Sequence, residues 1–153
     1  MNLLFDTNII LYIVRALDTN SILHFLNPQN ASIYASIASE AEIKSLALQN
    51  KWGTNRQIIL SRLMDQITIV DITKLNVNAY IEIESYSQLQ NPGFEIYPFS
   101  TPRNMGKNDL WIASLAAVLG LQLITTDSDF DHLNGVFFDV RKITHQEFLP
   151  FIK

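Results

Sequence analysis

The sequence predicts an α/β domain built around a mostly parallel, five-stranded sheet. Three observations predict it. Five short apolar or β-branched runs alternate with segments of helical spacing, the pattern of βαβ units. The chain has 153 residues, the size of one compact domain. Acidic residues follow two of the runs, Asp6 directly and Asp127 after one residue, and open α/β sheets bind ligands outside the carboxyl ends of their strands.

The elements follow in order. Residues 2–5 form a buried strand that ends at Asp6-Thr7-Asn8. Residues 9–15 read as a helix, with Leu11, Ile13 and Val14 apolar, and 21–26 as a second one stopped by Asn27-Pro28. Residues 32–37 are small and β-branched, a short strand. Residues 39–49 carry Ile43, Leu46 and Ala47 on one helical stripe, and Asn50-Lys51-Trp52-Gly53 stops it. Thr54 caps a helix through Asp65, with Ile58, Ile59, Arg62 and Leu63 spaced by three and four. Residues 67–72 are a buried strand. In 74–90, Ile81-Glu82-Ile83-Glu84 alternates like a strand, but length and good helix formers favour a helix. Residues 91–106 contain Pro92, Pro98 and Pro102 and form a loop, long enough to suggest function. A helix opens at Asn108 or Asp109 and runs to Leu119, with Gly120 as its stop. Residues 121–125 and 136–140 are strands, and 144–148 starts a last short helix.

Composition narrows the chemistry. Apolar residues make up 48% of the chain and charged residues 17%, enough to bury a core without a staple. The absence of cysteine excludes a disulfide scaffold, a thiolate zinc site and a cysteine nucleophile, and fits a cytoplasmic protein. The N-terminus reaches Asp6 before a signal-peptide core can form. The most apolar charge-free run, 110–126, is too short to span a membrane and holds Ser114, Gly120 and Gln122. A net charge of −4 argues against general basicity as a grip on nucleic acid. It leaves open a nuclease, because a bound divalent cation reverses the local field.

The acids are placed unevenly. Asp6, Glu42, Asp109 and Asp127 sit at or near element boundaries, with Asp129 two residues on. Between Asn108 and Val140 there are five acids and no Lys or Arg. Like charges gathered at one sheet edge need a cation or raised pKa values. Oxygen ligands without sulfur suit Mg²⁺ or Mn²⁺, and none of His24, His132 and His145 lies among the strand-end acids, which argues against zinc. Taken singly, each acid has an ordinary reading: Asp6 as a cap, Asp109 as a helix-start acid, Asp127 and Asp129 as turn formers, Glu42 as a solvated face residue. Their joint placement after two strands and at helix starts points to a site.

Four ordered segments carry a family resemblance: Leu4-Phe5-Asp6-Thr7-Asn8-Ile9-Ile10, Ser36-Ile37-Ala38-Ser39-Glu40-Ala41-Glu42-Ile43, Gly106-Lys107-Asn108-Asp109-Leu110-Trp111-Ile112-Ala113 and Leu123-Ile124-Thr125-Thr126-Asp127-Ser128-Asp129-Phe130. In these the chain resembles the PIN domain family, the metal-dependent nuclease fold of VapC-like toxins, from residue 3 to about 140. Segment 50–107 matches in element order only. The resemblance implies a single Rossmann-like α/β/α three-layer domain over residues 1–153. It implies that Asp6, Glu42, Asp109 and Asp127 are the catalytic, metal-binding quartet, with Asp129 an additional acid near the metal. Thr7, Asn8, Asn108 and Thr125 match its supporting polar positions. Glu42 fits the family spacing better than Glu40, and two residues apart on a helix means roughly opposite faces.

The resemblance further implies Mg²⁺- or Mn²⁺-dependent endoribonuclease activity, with hydrolysis that leaves a 5′-phosphate and a 3′-hydroxyl. It also implies a cognate antitoxin, a homodimer and no membrane. Arg103 and Lys107, just before Asn108-Asp109, are candidate RNA contacts, or ordinary loop cations. Phe94, Tyr97 and Phe99 in the proline-rich loop stack on bases, form an apolar flap or meet a partner. Trp52 and Trp111 read as core anchors, the latter on a stripe with Leu115 and Val118, while Arg56 and Arg62 read as a solvated face. The alternative is a PIN-like scaffold or RNA-binding protein without nuclease activity, but such members lose acids and this chain keeps all four. A phosphoryl-accepting receiver or a haloacid-dehalogenase-type phosphatase wants a second acid close to Asp6, where Thr7-Asn8 stands.

Overall fold

The computed structural model describes residues 1–152. Five strands form the sheet: β1 (Leu3–Phe5), β2 (Ile33–Ser36), β3 (Ile67–Val70), β4 (Gln122–Thr125) and β5 (Val140–Lys142). All pairings are parallel, in the order β3-β2-β1-β4-β5. The helices are α1 (Thr7–Arg15), α2 (Thr19–Leu26), α3 (Ile37–Gln49), α4 (Thr54–Gln66), α5 (Val77–Ser87), α6 (Lys107–Leu119) and α7 (His145–Phe148).

Strand alternation sorts the side chains into two cores, and this makes the three layers. Leu3 and Phe5 of β1, Ile33 and Ala35 of β2, Ile67 of β3 and Ile124 of β4 face one side. There they meet Ile9, Ile10 and Ile13 of α1, Ile22 and Leu26 of α2, Ile43 of α3 and Leu60 and Leu63 of α4. Leu4 of β1 and Leu123 of β4 face the other side, against Ile83 and Tyr86 of α5 and Leu110, Ala113 and Leu115 of α6. Leu4, Phe5, Leu123 and Ile124 are fully buried. Burying a side chain of this size contributes roughly 1.5–3 kcal/mol each.

The sheet order reverses at β1. From it the chain moves to β2 and β3 on one side, and later to β4 and β5 on the other. The crevice of such a sheet opens where the connections diverge, between β1 and β4. Phe5 pairs in register with Ile124, so Asp6 and Thr125 emerge side by side from that seam.

Several boundaries differ from the sequence reading. The last strand is not 136–140 but Val140–Lys142. Gly135 turns with φ +74°, and Phe137 and Phe138 pack into the second core instead of pairing in the sheet. The segment 74–90 is a 3₁₀ turn, capped by Thr73, followed by α5 to Ser87. Gly53, not Thr54, is the N-cap of α4. Gly120 ends α6 with φ +63°, the left-handed stop expected of it. Trp52 and Trp111 are half-buried, Trp111 against Tyr80, but Val118 is exposed. The aromatics of the 91–106 loop fold inward: Phe94, Tyr97 and Phe99 surround Tyr86 at ring distances of 4.6, 5.2 and 5.4 Å. They are a flap over the second core. Among the described residues, no helix is long and apolar enough to cross a membrane.

Candidate metal centre

Asp6 leaves β1 and caps α1. Its Oδ1 accepts from the Thr7 backbone N–H at 2.8 Å, and its Oδ2 accepts from Thr125 Oγ1 at 2.7 Å. The capping role given to it as an ordinary reading is therefore real, and it uses only part of the carboxylate. Thr125 Oγ1 also accepts from the Asp127 N–H at 3.0 Å, and Asp127 Oδ1 accepts from the Asp129 N–H at 2.9 Å. One chain of hydrogen bonds thus links Asp6, Thr125, Asp127 and Asp129. Asp127 caps the 3₁₀ turn 128–133 that follows β4.

Asp109 lies in the first turn of α6 and faces this chain. Carboxylate oxygens of Asp109, Asp127 and Asp129 lie within 4.8 Å of one another. Glu42 arrives from α3, where its Oε1 accepts from Asn108 Nδ2 at 3.0 Å. Ser39, one helical turn before Glu42, is buried and receives a hydrogen bond from Thr7 Oγ1 at 2.9 Å. Residues three apart share a helix face, so this contact turns Glu42 toward the β1 edge. Glu40 faces elsewhere: it pairs with Lys44 at 3.7 Å and lines a groove between α3 and α4. Asn8 is exposed and makes no side-chain hydrogen bond among the described residues.

Electrostatics mark the place as incomplete without a cation or protons. Among the described residues none of the five carboxylates has an ion-pair partner. Two charges near 5 Å at an effective dielectric of 20 repel by about 3 kcal/mol. Three such pairs approach the whole stability of a domain, about 5–15 kcal/mol. The titration shifts follow. Burial pushes the Asp109 carboxyl up to about 6, and Asp6, Asp127, Asp129 and Glu42 push the same way. Burial also raises Asp6, against the lowering hydrogen bonds from Thr125 and Thr7, with Asp127 and Glu42 adding to the rise. An all-oxygen, cation-free cluster is the donor set for a hard divalent ion, so the residues present fit Mg²⁺ or Mn²⁺.

The rim carries two cations that end on one residue. Arg103 Nη2 donates to the Ser128 carbonyl at 3.3 Å, and Lys142 Nζ lies 3.3 Å from Ser128 Oγ. Lys107, the first residue of α6, is exposed and shares a cleft of about 280 Å³ with Arg103. Below them His132 Nε2 meets Ser87 Oγ at 2.7 Å. Burial and the Arg103 charge hold His132 down to about 4, so it is neutral near pH 7. Sequence reasoning missed Ser39, whose signal is its place one turn before Glu42. It also missed Lys142, which was hidden by the misplaced last strand.

A family model, the PIN domain, matches residues 3–136. The chain belongs to the PIN domain family. PIN domains are in general nucleases, and the acid cluster occupies the switch point of this one. Solved structures share the fold. VapBC2 from Rickettsia felis, bound to a DNA fragment from the promoter, matches with a TM-score of 0.70 at 22% identity, over 93% of this chain and 98% of that one. VapBC-1 from nontypeable Haemophilus influenzae matches with a TM-score of 0.67 at 21% identity, over 93% and 98%. FitAcB from Neisseria gonorrhoeae matches with a TM-score of 0.62 at 21% identity, over 90% and 95%. Among curated protein sequences nothing matches.

Proposed function

We propose that this PIN domain is a Mg²⁺- or Mn²⁺-dependent endoribonuclease, the toxin of a type II toxin–antitoxin pair that works in the cytoplasm. One observation carries the nuclease reading: Asp109 of α6 and the acids after β4 cluster at the sheet's switch point, tied by hydrogen bonds to Asp6 after β1 and next to Glu42 of α3, with no ion-pair partner among the described residues. Solved VapBC and FitAB assemblies of the same fold support the toxin role and an antitoxin partner; the homodimer in this reading rests on the family resemblance alone.

Asp6, Glu42, Asp109 and Asp127 would hold the cation, with Asp129 beside them. The bound ion would supply a water of lowered pKa and polarise a phosphoryl oxygen. Thr125 and the Thr7 N–H fix both oxygens of the Asp6 carboxylate, so it meets a ligand without reorganising. Asn108 orients Glu42, and the Thr7–Ser39 bond sets the helix face that presents it. Asp127 or Asp129 accepts a hydrogen bond from the attacking water and aims it. Arg103 and Lys107 receive the RNA backbone at the rim. His132 does not act as base, since it is buried on Ser87.

The test is cleavage of end-labelled single-stranded RNA in Mg²⁺ or Mn²⁺. Asp6→Asn and chelator should each abolish it while the protein stays folded by circular dichroism. Products should carry 5′-phosphates. Undiminished cleavage in EDTA would refute the metal mechanism.

A further inference from the structure

The geometry points to a two-cation clamp, Arg103 and Lys142, that grips a phosphodiester of the RNA strand beside the Asp127–Asp129 turn. The inference rests on the ribonuclease reading above and adds a residue, Lys142, and a location.

Lys142 is the last residue of β5 and pairs in register with Thr125, the residue that holds Asp6. It therefore stands at the same carboxyl edge of the sheet as the acids. Strand alternation separates it from Arg141, whose guanidinium turns to the other face and donates to the Leu26 and Phe25 carbonyls. Lys142 instead reaches Asp131 Oδ2 at 2.8 Å and Ser128 Oγ at 3.3 Å. Arg103 approaches Ser128 from the loop. Its backbone N–H is pinned to the Ser87 carbonyl at 2.8 Å, and its Nη2 donates to the Ser128 carbonyl. Ser128 lies between Asp127 and Asp129, so both cations flank the turn that presents those acids.

Neither cation is saturated. A guanidinium has five N–H donors and an ammonium three. Arg103 spends one guanidinium donor and Lys142 two on the partners just named. The Lys142–Asp131 pair is exposed on both sides. Exposed pairs of this kind hold weakly, so a phosphate displaces the carboxylate readily. The cleft shared by Arg103, Lys107, Gln88 and Tyr80 continues away from the clamp and gives the neighbouring nucleotides a path. Glu84 also lines that cleft, so the cations, not the cleft as a whole, carry the attraction.

The experiment is anisotropy of a fluorescein-labelled single-stranded RNA, with Ca²⁺ replacing Mg²⁺ and the RNA checked for integrity on a gel. Affinity is measured from about 50 to 300 mM salt. Lys142→Gln should weaken binding about five- to tenfold and flatten the log K against log salt slope by about 0.7, one single-strand contact. Lys142→Arg should restore both. Asp131→Asn, which breaks the same ion pair but frees the lysine, should tighten binding. A merely structural ion pair predicts the opposite, with Asp131→Asn matching Lys142→Gln. In Mg²⁺, Lys142→Gln should raise KM several-fold with little change in kcat. Wild-type protein that binds RNA while Lys142→Gln keeps its affinity and slope overturns the clamp alone. Wild-type protein that binds no RNA overturns the clamp and the ribonuclease reading together.

Discussion

Replacing Asp109 by Asn should stabilise the metal-free protein, and only above pH 4. The carboxyl titrates near 3.8 when the chain is unfolded and near 6 when folded. A carboxyl raised on folding leaves stability intact below the unfolded value and drains it as pH climbs through the folded one. The distance from 3.8 to about 6 corresponds to about 3 kcal/mol at 1.36 kcal/mol per pH unit. The side chain is only partly shielded, and solvent screening leaves about half of that, about 1.5 kcal/mol. For a domain of this size such a gain moves Tm by about 3–6 °C. The assay is thermal or urea unfolding in EDTA from pH 3.5 to 8. Wild type and Asp109→Asn should coincide near pH 3.5, diverge between pH 4 and 6, and run parallel above, with the variant more stable. Divalent cation should then invert the order. At a hundred times its dissociation constant it stabilises wild type by about 2.7 kcal/mol, and Asp109→Asn gains far less. A variant that is less stable in EDTA at pH 8, or a gap that does not change with pH, would refute the crowded-carboxylate account.

Three further outcomes follow from the same geometry. Glu42→Gln should weaken divalent-cation binding in calorimetry about tenfold or more, whereas Glu40→Gln, which loses only a half-exposed pair with Lys44, should bind as wild type does. Thr125→Val keeps the shape but removes the donor to Asp6 Oδ2. It should lower kcat/KM about 10- to 100-fold and move the acid limb of the pH–rate profile upward, since that bond is what pulls Asp6 down. Tyr86→Ala empties the centre of the aromatic flap and should cost about 3–5 kcal/mol in urea unfolding, with the divalent-cation affinity of the surviving folded protein unchanged.

The sheet and the acids were legible because both leave local marks. Apolar runs such as Leu3-Leu4-Phe5 and Leu123-Ile124 are short and bounded by polar residues, and an acid after a strand lies at the binding edge whatever the helices do. The last strand was not legible. Val136-Phe137-Phe138 is more strand-like than Val140-Arg141-Lys142, but the rings gain more by filling the second core, and the left-handed Gly135 lets the chain turn to deliver them. That error hid Lys142. The 3₁₀ turn 128–133 carries no periodicity, so the linkage of Ser128 to two cations was invisible too. Nor does spacing say how the acids divide, with Asp109, Asp127 and Asp129 in one tight group and Asp6 and Glu42 joined to it through Thr125 and Asn108.

The seam between β1 and β4 also sets an order of events while the protein folds. β1, β2 and β3, with α1 to α4, can assemble from the first 70 residues and leave β1 as a bare edge. Asp6 then waits for Thr125, 119 positions later, and for Asp109 and Asp127 with it. Contacts that distant in sequence form late, since the chain must close a long loop before they repay it. During synthesis, which adds about 5–20 residues per second, the first 70 residues emerge holding Asp6 and Glu42 but neither Asp109 of α6 nor the acids after β4. The constellation closes only when β4 docks.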